Sequence, residues 1–381
     1  MAKDKKVRAD FRKNRSTRTR QTDWTQQFEQ SGLEEDKIVP GERISGKGEL
    51  SRRRTVRVSE SAESADPSSL GVVLDVDEAT CLRGRVLSVH GLISMVRLDD
   101  GRTMQCATRR LLKTLSTDQR HVVAAGDLVV VRPVEQGAGN EGIIERIEPR
   151  RGVLSRTSRG RQQVIVANVD QALIIASAAE PRLKPNLIDR LLVSAEQGKI
   201  RPLIVINKID LVDPAEFQPL VGVYAQMGYE VLLASAKTGF GISRLRVRLA
   251  GRQSVVAGQS GVGKSSLLNA VDPGLELRVA EVSEENQKGR HTTTTAKLLP
   301  WEFGGYVVDT PGIRQFQLWD VIPEEVAGYY RDVRPYVSRC RFPDCTHTHE
   351  ADCAVKDAVA DGRLDVRRYE SFCDIFRGDL D

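Results

Sequence analysis

Gly258-Gln259-Ser260-Gly261-Val262-Gly263-Lys264-Ser265 fits G-x-x-x-x-G-K-[ST], and Ser266 follows it. In such a loop, glycines let backbone N–H groups converge on phosphate oxygens at a helix N-terminus. The flanks supply the context the motif needs. Ser254–Ala257 reads as a short buried strand before it, and Lys264–Ala270 opens a helix after it. Lys264 is expected at the β- and γ-phosphates and Ser265 on Mg²⁺. Further on, Asp309-Thr310-Pro311-Gly312 ends the strand Tyr306–Val308. Asp309 is expected to hold Mg²⁺, through water, and the Gly312 N–H to meet the γ-phosphate.

Two earlier elements read a base. Asn207-Lys208-Ile209-Asp210 follows the apolar run Pro202–Ile206, at the strand end where open α/β sheets bind ligands. A carboxylate there accepts both N1–H and the exocyclic amine of guanine, a pair that adenine lacks. Ser235-Ala236-Lys237 follows the next strand, Glu230–Leu233, and its backbone can approach the oxygen of the same base. The conjunction favours GTP and GDP over ATP. In an ordinary guanine-nucleotide switch the base readers come last; here they come first. That is the order a circular permutation leaves, and it puts the end of the domain just after the switch region.

Gly289-Arg290-His291-Thr292-Thr293-Thr294-Thr295 lies between the two phosphate elements as switch I, with His291 the nearest group for activating water. Ile313 follows Gly312 and cannot orient water. Low intrinsic turnover is therefore expected, and a second reading stays open: a nucleotide-gated RNA-binding scaffold in which hydrolysis is incidental.

At 381 residues, 40% hydrophobic and 29% charged, the chain is a soluble globular protein of several domains. The boundaries read from the sequence are a basic, disordered extension at 1–74, an OB-like β-barrel at 75–152, a permuted, mainly parallel P-loop GTPase at 153–318 and a mostly helical metal-binding segment at 319–381. Five short strand-like runs support the barrel: Gly84–Val89, Ile93–Leu98, Thr103–Ala107, Asp127–Arg132 and Gly142–Ile147. Residues 1–57 hold 16 Lys/Arg and 9 Asp/Glu, a net of +7 in a chain whose total is +5. That arm suits a polyanion. No apolar run is long enough to span a bilayer and no signal peptide is read, so the expected location is the cytoplasm, with no membrane partner.

Cys340-x4-Cys345-x-His347-x5-Cys353 offers three thiolates and one imidazole, a closed set suited to one structural Zn²⁺. His349 is the second choice for the imidazole.

Together these features resemble the RsgA/YjeQ family, the small ribosomal subunit biogenesis GTPases of bacteria, over roughly residues 75–381. The resemblance implies a cytoplasmic GTPase, expected as a monomer, that binds the 30S subunit and its 16S rRNA late in maturation and is stimulated by it. It carries nucleotide contacts to Asn207–Asp210 and Gly258–Ser266 and zinc ligands to Cys340, Cys345, His347 and Cys353. The basic extension lies outside the shared pattern, and no DNA partner is expected. Between Glu29 and Glu216 there is no Phe, Tyr or Trp, so the barrel lacks aromatic platforms for bases. RNA would meet it through phosphate contacts, with Arg109, Arg110 and Lys113 the natural groups.

Overall fold

Runs of residues whose side chains are buried on both sides organise the centre of the chain. The structure, a computed structural model, describes residues 5–10, 53–58, 76–77, 79–109, 112, 122–134, 140–158, 161–277, 296–309 and 322–378. Within the extension, β1 (Lys5–Asp10) pairs antiparallel with β2 (Arg53–Val58), from Lys5 opposite Val58 to Asp10 opposite Arg53. The sequence reading of 1–74 as a disordered extension did not anticipate these two strands. Thr55, Val56 and Val58 are β-branched and favour extended backbone.

Five strands then close a barrel: β3 (Leu82–His90), β4 (Ile93–Leu98), β5 (Thr103–Thr108), β6 (Leu128–Pro133) and β7 (Glu141–Ile147). Neighbours run β3-β4-β5-β7-β6, and β6 returns to pair with β3. Only the β5–β7 pairing is parallel. Period-2 burial sends Val86, Val96, Met104, Cys106, Val131 and Ile144 inward. The expected OB-like barrel is present, strand for strand.

A hairpin, β8 (Leu154–Ser158) with β9 (Arg161–Val166), leads into the nucleotide-type sheet. Its strands are β10 (Gln171–Ser177), β11 (Arg201–Asn207), β12 (Glu230–Leu233), β13 (Gln253–Ala257), β14 (Lys297–Pro300) and β15 (Tyr306–Asp309). The order is β12-β11-β10-β13-β15-β14, parallel except for β14. Every residue of β10 is buried because helices cover both faces. Ala172, Ile174 and Ala176 pack with α1 (Pro185–Gln197) and α2 (Gln218–Gln226) on one side. Leu173 and Ile175 pack with α3 (Ile242–Leu249) and α4 (Lys264–Val271) on the other. From β10 the chain winds outward to β12, then crosses back to enter β13 on the opposite side of β10. The carboxyl ends of β10, β11 and β13 thus meet at the point where the winding reverses, the usual crevice for a ligand.

The barrel and this sheet form one continuous set of eleven strands, because β14 pairs with β3 at Lys297 and Ser88. Gln253 pins the junction: its Nε2 donates to the Ala167 carbonyl at 2.7 Å, and its Oε1 accepts from Arg85.

After residue 322 come α5 (Val326–Tyr329), α6 (Arg334–Val337), α7 (Ala354–Ala360) and α8 (Val366–Arg377). Their core of Tyr330, Val333, Val355, Leu364, Phe372 and Ile375 includes Val193 of α1. A buried charge network ties the same surfaces. Asp189 on α1 accepts from Tyr224 Oη at 2.7 Å and pairs with Arg367 at 3.2 Å. Arg368 Nη1 lies 2.7 Å from Asp189 Oδ1, close but outside hydrogen-bond alignment, while its Nε and Nη2 donate to Asp332 at 3.0 and 2.9 Å. Asp189 and Arg368 are 0% and 1% exposed, and the network of Arg367, Asp332 and Tyr224 around them supplies the partners that buried charges need.

Candidate functional site

The phosphate loop takes its shape from glycines that no other residue could replace. At Gly258 φ is +145°, and a Cβ would sit 2.1 Å from the Ile175 carbonyl oxygen at the end of β10. At Gly263 φ is +83°, and a Cβ would sit 2.7 Å from Asn207 Nδ2. Gly263 is also the N-cap of α4, and no side chain caps that helix. Its first N–H groups are left for an anion, at the positive end of the helix dipole. Lys264 Nζ folds back to the carbonyls of Gly258 (2.9 Å) and Gln259 (2.7 Å), which holds the ammonium across the loop. The Ser265 hydroxyl makes no hydrogen bond among the described residues and is half-buried in the first turn of α4.

Asn207 joins the loops. Its side chain is 1% exposed; Nδ2 donates to the Val262 carbonyl at 2.9 Å, and Oδ1 accepts from the Ala236 N–H at 3.2 Å. One amide therefore fixes the phosphate loop, the end of β11 and the Ser235–Lys237 loop relative to each other. Lys208 adopts a left-handed conformation, φ +62°, and its ammonium donates to the Glu180 carbonyl. Asp210 is exposed, and its Oδ1 accepts from Ser235 Oγ at 2.6 Å. That hydrogen bond holds the Asp210 carboxyl below its usual pKa. A carboxylate kept ionised, aimed by a buried serine and open to solvent can accept two N–H donors from a planar ligand.

The sequence grouped these loops without showing how they interlock; Asn207 as the common strut and Glu180 as the anchor of Lys208 emerge only in three dimensions. Asp309 lies at the carboxyl end of β15, opposite Lys297, on the same edge of the sheet as the phosphate loop. His291 with the rest of switch I, and Gly312 and Ile313, lie outside the described residues, as do Arg110 and Lys113. Arg109, expected to be available for RNA, is paired with Glu145 at 3.2 Å, which also holds Arg132 at 2.9 Å.

The second cluster is the cysteine segment. One ligand atom from each of Cys340, Cys345, His347 and Cys353 lies within 4.8 Å of every other. Cys340 Sγ is 3.4 Å from His347 Nδ1 and 3.9 Å from Cys353 Sγ, and Cys353 Sγ is 3.6 Å from the same Nδ1. With Zn–S of about 2.3 Å and Zn–N of about 2.1 Å, tetrahedral ligands sit about 3.6–3.8 Å apart. The donors fit a zinc ion. His349 does not take part: its side chain is 80% exposed and contacts Thr348. His347 reaches inward because its backbone is left-handed, φ +63°. Glu350, which the sequence reading did not use, shapes that turn by accepting from Thr346 N (2.8 Å), Thr346 Oγ1 (2.6 Å) and Thr348 N (3.2 Å). Burial pushes the Cys345 thiol up to about 12. A divalent cation at the centre reverses that direction, because it binds thiolates.

Comparison with known proteins agrees with this architecture. A family model described as RsgA GTPase matches residues 147–319. A protein of Sodalis glossinidius named small ribosomal subunit biogenesis GTPase RsgA is 42% identical, over 77% of this chain and 84% of its own length. One of the same name from Thermotoga petrophila is 41% identical, over 77% and 95%. Among solved structures, YjeQ from Thermotoga maritima superposes with a TM-score of 0.65 at 37% identity, covering 78% of this chain and 98% of its own. YloQ, described as a circularly permuted GTPase, gives 0.62 at 29%, covering 80% and 96%. Identity and coverage of this extent place the chain in the RsgA GTPase family, and it is a GTP hydrolase.

Proposed function

We propose that this protein binds the small ribosomal subunit through its 16S rRNA late in subunit maturation, and that the subunit stimulates its hydrolysis of GTP. The observation that carries the nucleotide half is the Asn207 strut, which binds base-side and phosphate-side loops into one rigid crevice. The names of the relatives support the ribosomal half.

In this reading Asp210 accepts the guanine N1–H and amine, held in aim by Ser235, while Lys208 lies along the base. The α4 amide groups from Gly263 to Ser266 take the β-phosphate. Lys264 leaves its two carbonyls to neutralise the β- and γ-phosphates. Ser265 and Asp309 are the residues to hold Mg²⁺, which when bound supplies charge neutralisation between those phosphates. His291 is proposed to position the attacking water, since Ile313 has no group to do so. Zinc held by Cys340, Cys345, His347 and Cys353 is structural: all four positions are protein ligands, so none is left for substrate.

Among the described residues no helix is long and apolar enough to cross a membrane. A cytoplasmic monomer is part of the proposal. Sedimentation with purified 30S, 50S and 70S particles tests it. Selective pelleting with 30S in a non-hydrolysable GTP analogue, weakened in GDP, is expected; binding to 50S alone would overturn it.

A further inference from the structure

Residues 237–252 carry five basic side chains, Lys237, Arg244, Arg246, Arg248 and Arg252, and no acidic one. They run from the base-side loop through α3 to the start of β13. Leu245 and Leu249 turn the apolar side of α3 into the core, leaving Ser243, Arg244, Arg246, Val247 and Arg248 exposed. Arg248 shares Glu230 with Arg201, and Arg252 donates to Gln171 at 3.1 Å. Among the described residues, the Arg246 side chain has an aromatic neighbour and no ion pair, its guanidinium 4.7 Å from the centre of the Phe303 ring. Arg244 has no ion pair or hydrogen bond among the described residues. Arg244 and Arg248 stand four apart on the helix, a like-charge spacing that works against it.

Several barrel arginines, by contrast, have acidic partners: Arg109 and Arg132 share Glu145, and Arg146 pairs with Glu148. On α3, Arg244 and Arg246 are therefore guanidinium groups that no described residue neutralises, one of them pre-set by a ring. Planar donors arranged this way suit phosphate oxygens. The apolar Val247, 68% exposed, and Phe240, 57% exposed, border them.

We propose that the outer face of α3 docks on the phosphate backbone of RNA, with Arg244 and Arg246 as the phosphate contacts. This rests on the small-subunit reading above and assigns it a surface. It also connects RNA to the nucleotide, because the loop before α3 is bonded to the base-side serine: Ser235 N donates to the Phe240 carbonyl at 2.9 Å and Gly239 N to the Ser235 carbonyl at 2.9 Å. RNA seated on α3 braces the loop that presents Ser235 to Asp210.

The test uses the full chain, purified 30S subunits, a GTP analogue and a salt series. Arg244→Ala/Arg246→Ala is expected to bind about tenfold more weakly, with a log–log salt slope shallower by roughly 1.5–2, and with basal GTP turnover unchanged. Arg363→Ala, at an exposed arginine paired with Asp361, controls for loss of charge elsewhere and is expected to bind like wild type. Equal affinity and slope for the double variant, while wild type pellets with 30S, overturns this surface and leaves the function standing. Failure of wild type to pellet overturns the function itself. A photo-crosslinker on Val247→Cys is expected to label rRNA; labelling of ribosomal protein alone overturns the choice of RNA over an acidic protein face.

Discussion

Replacing Asn207 by alanine separates the strut from everything else in the site. The side chain is buried and makes two hydrogen bonds to backbone groups, Val262 C=O and Ala236 N–H. Truncation leaves both without that partner, and each orphaned group costs about 1–3 kcal/mol. Water entering through the adjoining crevice recovers part of this, so a net loss of about 2–4 kcal/mol is expected. In a domain of this size that lowers the melting temperature by roughly 5–15 °C. GTP affinity should fall further than stability implies, about 100-fold, because the phosphate loop and the Ser235–Lys237 loop lose their common register. Asn207→Asp is the sharper variant: it keeps an acceptor for Ala236 but turns a second oxygen toward the Val262 carbonyl. Urea unfolding and titration with a fluorescent GTP analogue read the two effects. Native stability together with native affinity in Asn207→Ala would refute the strut.

Asp210→Asn carries an amide where guanine needs only acceptors, so binding of GTP should fall about 100-fold and xanthosine triphosphate should become a ligand, measured by competition. Cys345→Ser, or chelation of wild type, should release the one zinc and loosen residues 322–378, with GTP affinity nearly unchanged; zinc retained at one equivalent in the variant would remove Cys345 from the ligand set. Arg368→Met leaves Asp189 and Asp332 facing each other across the helical interface, and should destabilise the chain by about 3 kcal/mol in urea unfolding.

What the sequence disclosed was whatever is written in short spans. The phosphate loop, Asn207–Asp210 and the cysteine segment each need only a few residues at fixed spacing, and the five barrel strands announced themselves by alternation and turn residues. Contacts between distant parts were not readable. Nothing local says that Lys297 of β14 pairs with Ser88 of the barrel, or that Asp189 meets Arg368. The choice between His347 and His349 turned on a left-handed residue that spacing cannot reveal. Arg109 looked free because its partner, Glu145, comes from another strand of the barrel. In the extension, residues 1–70 are polar and poor in periodic apolar positions, so no alternation marks β1 and β2.

The most direct test of the whole account is GTP turnover measured with and without purified 30S subunits, at matched Mg²⁺ and salt. The expected result is slow turnover alone and a stimulation of tenfold or more by 30S that 50S does not reproduce. Turnover indifferent to 30S, in a protein that nevertheless binds it, would contradict subunit-stimulated hydrolysis and leave a nucleotide-gated RNA scaffold.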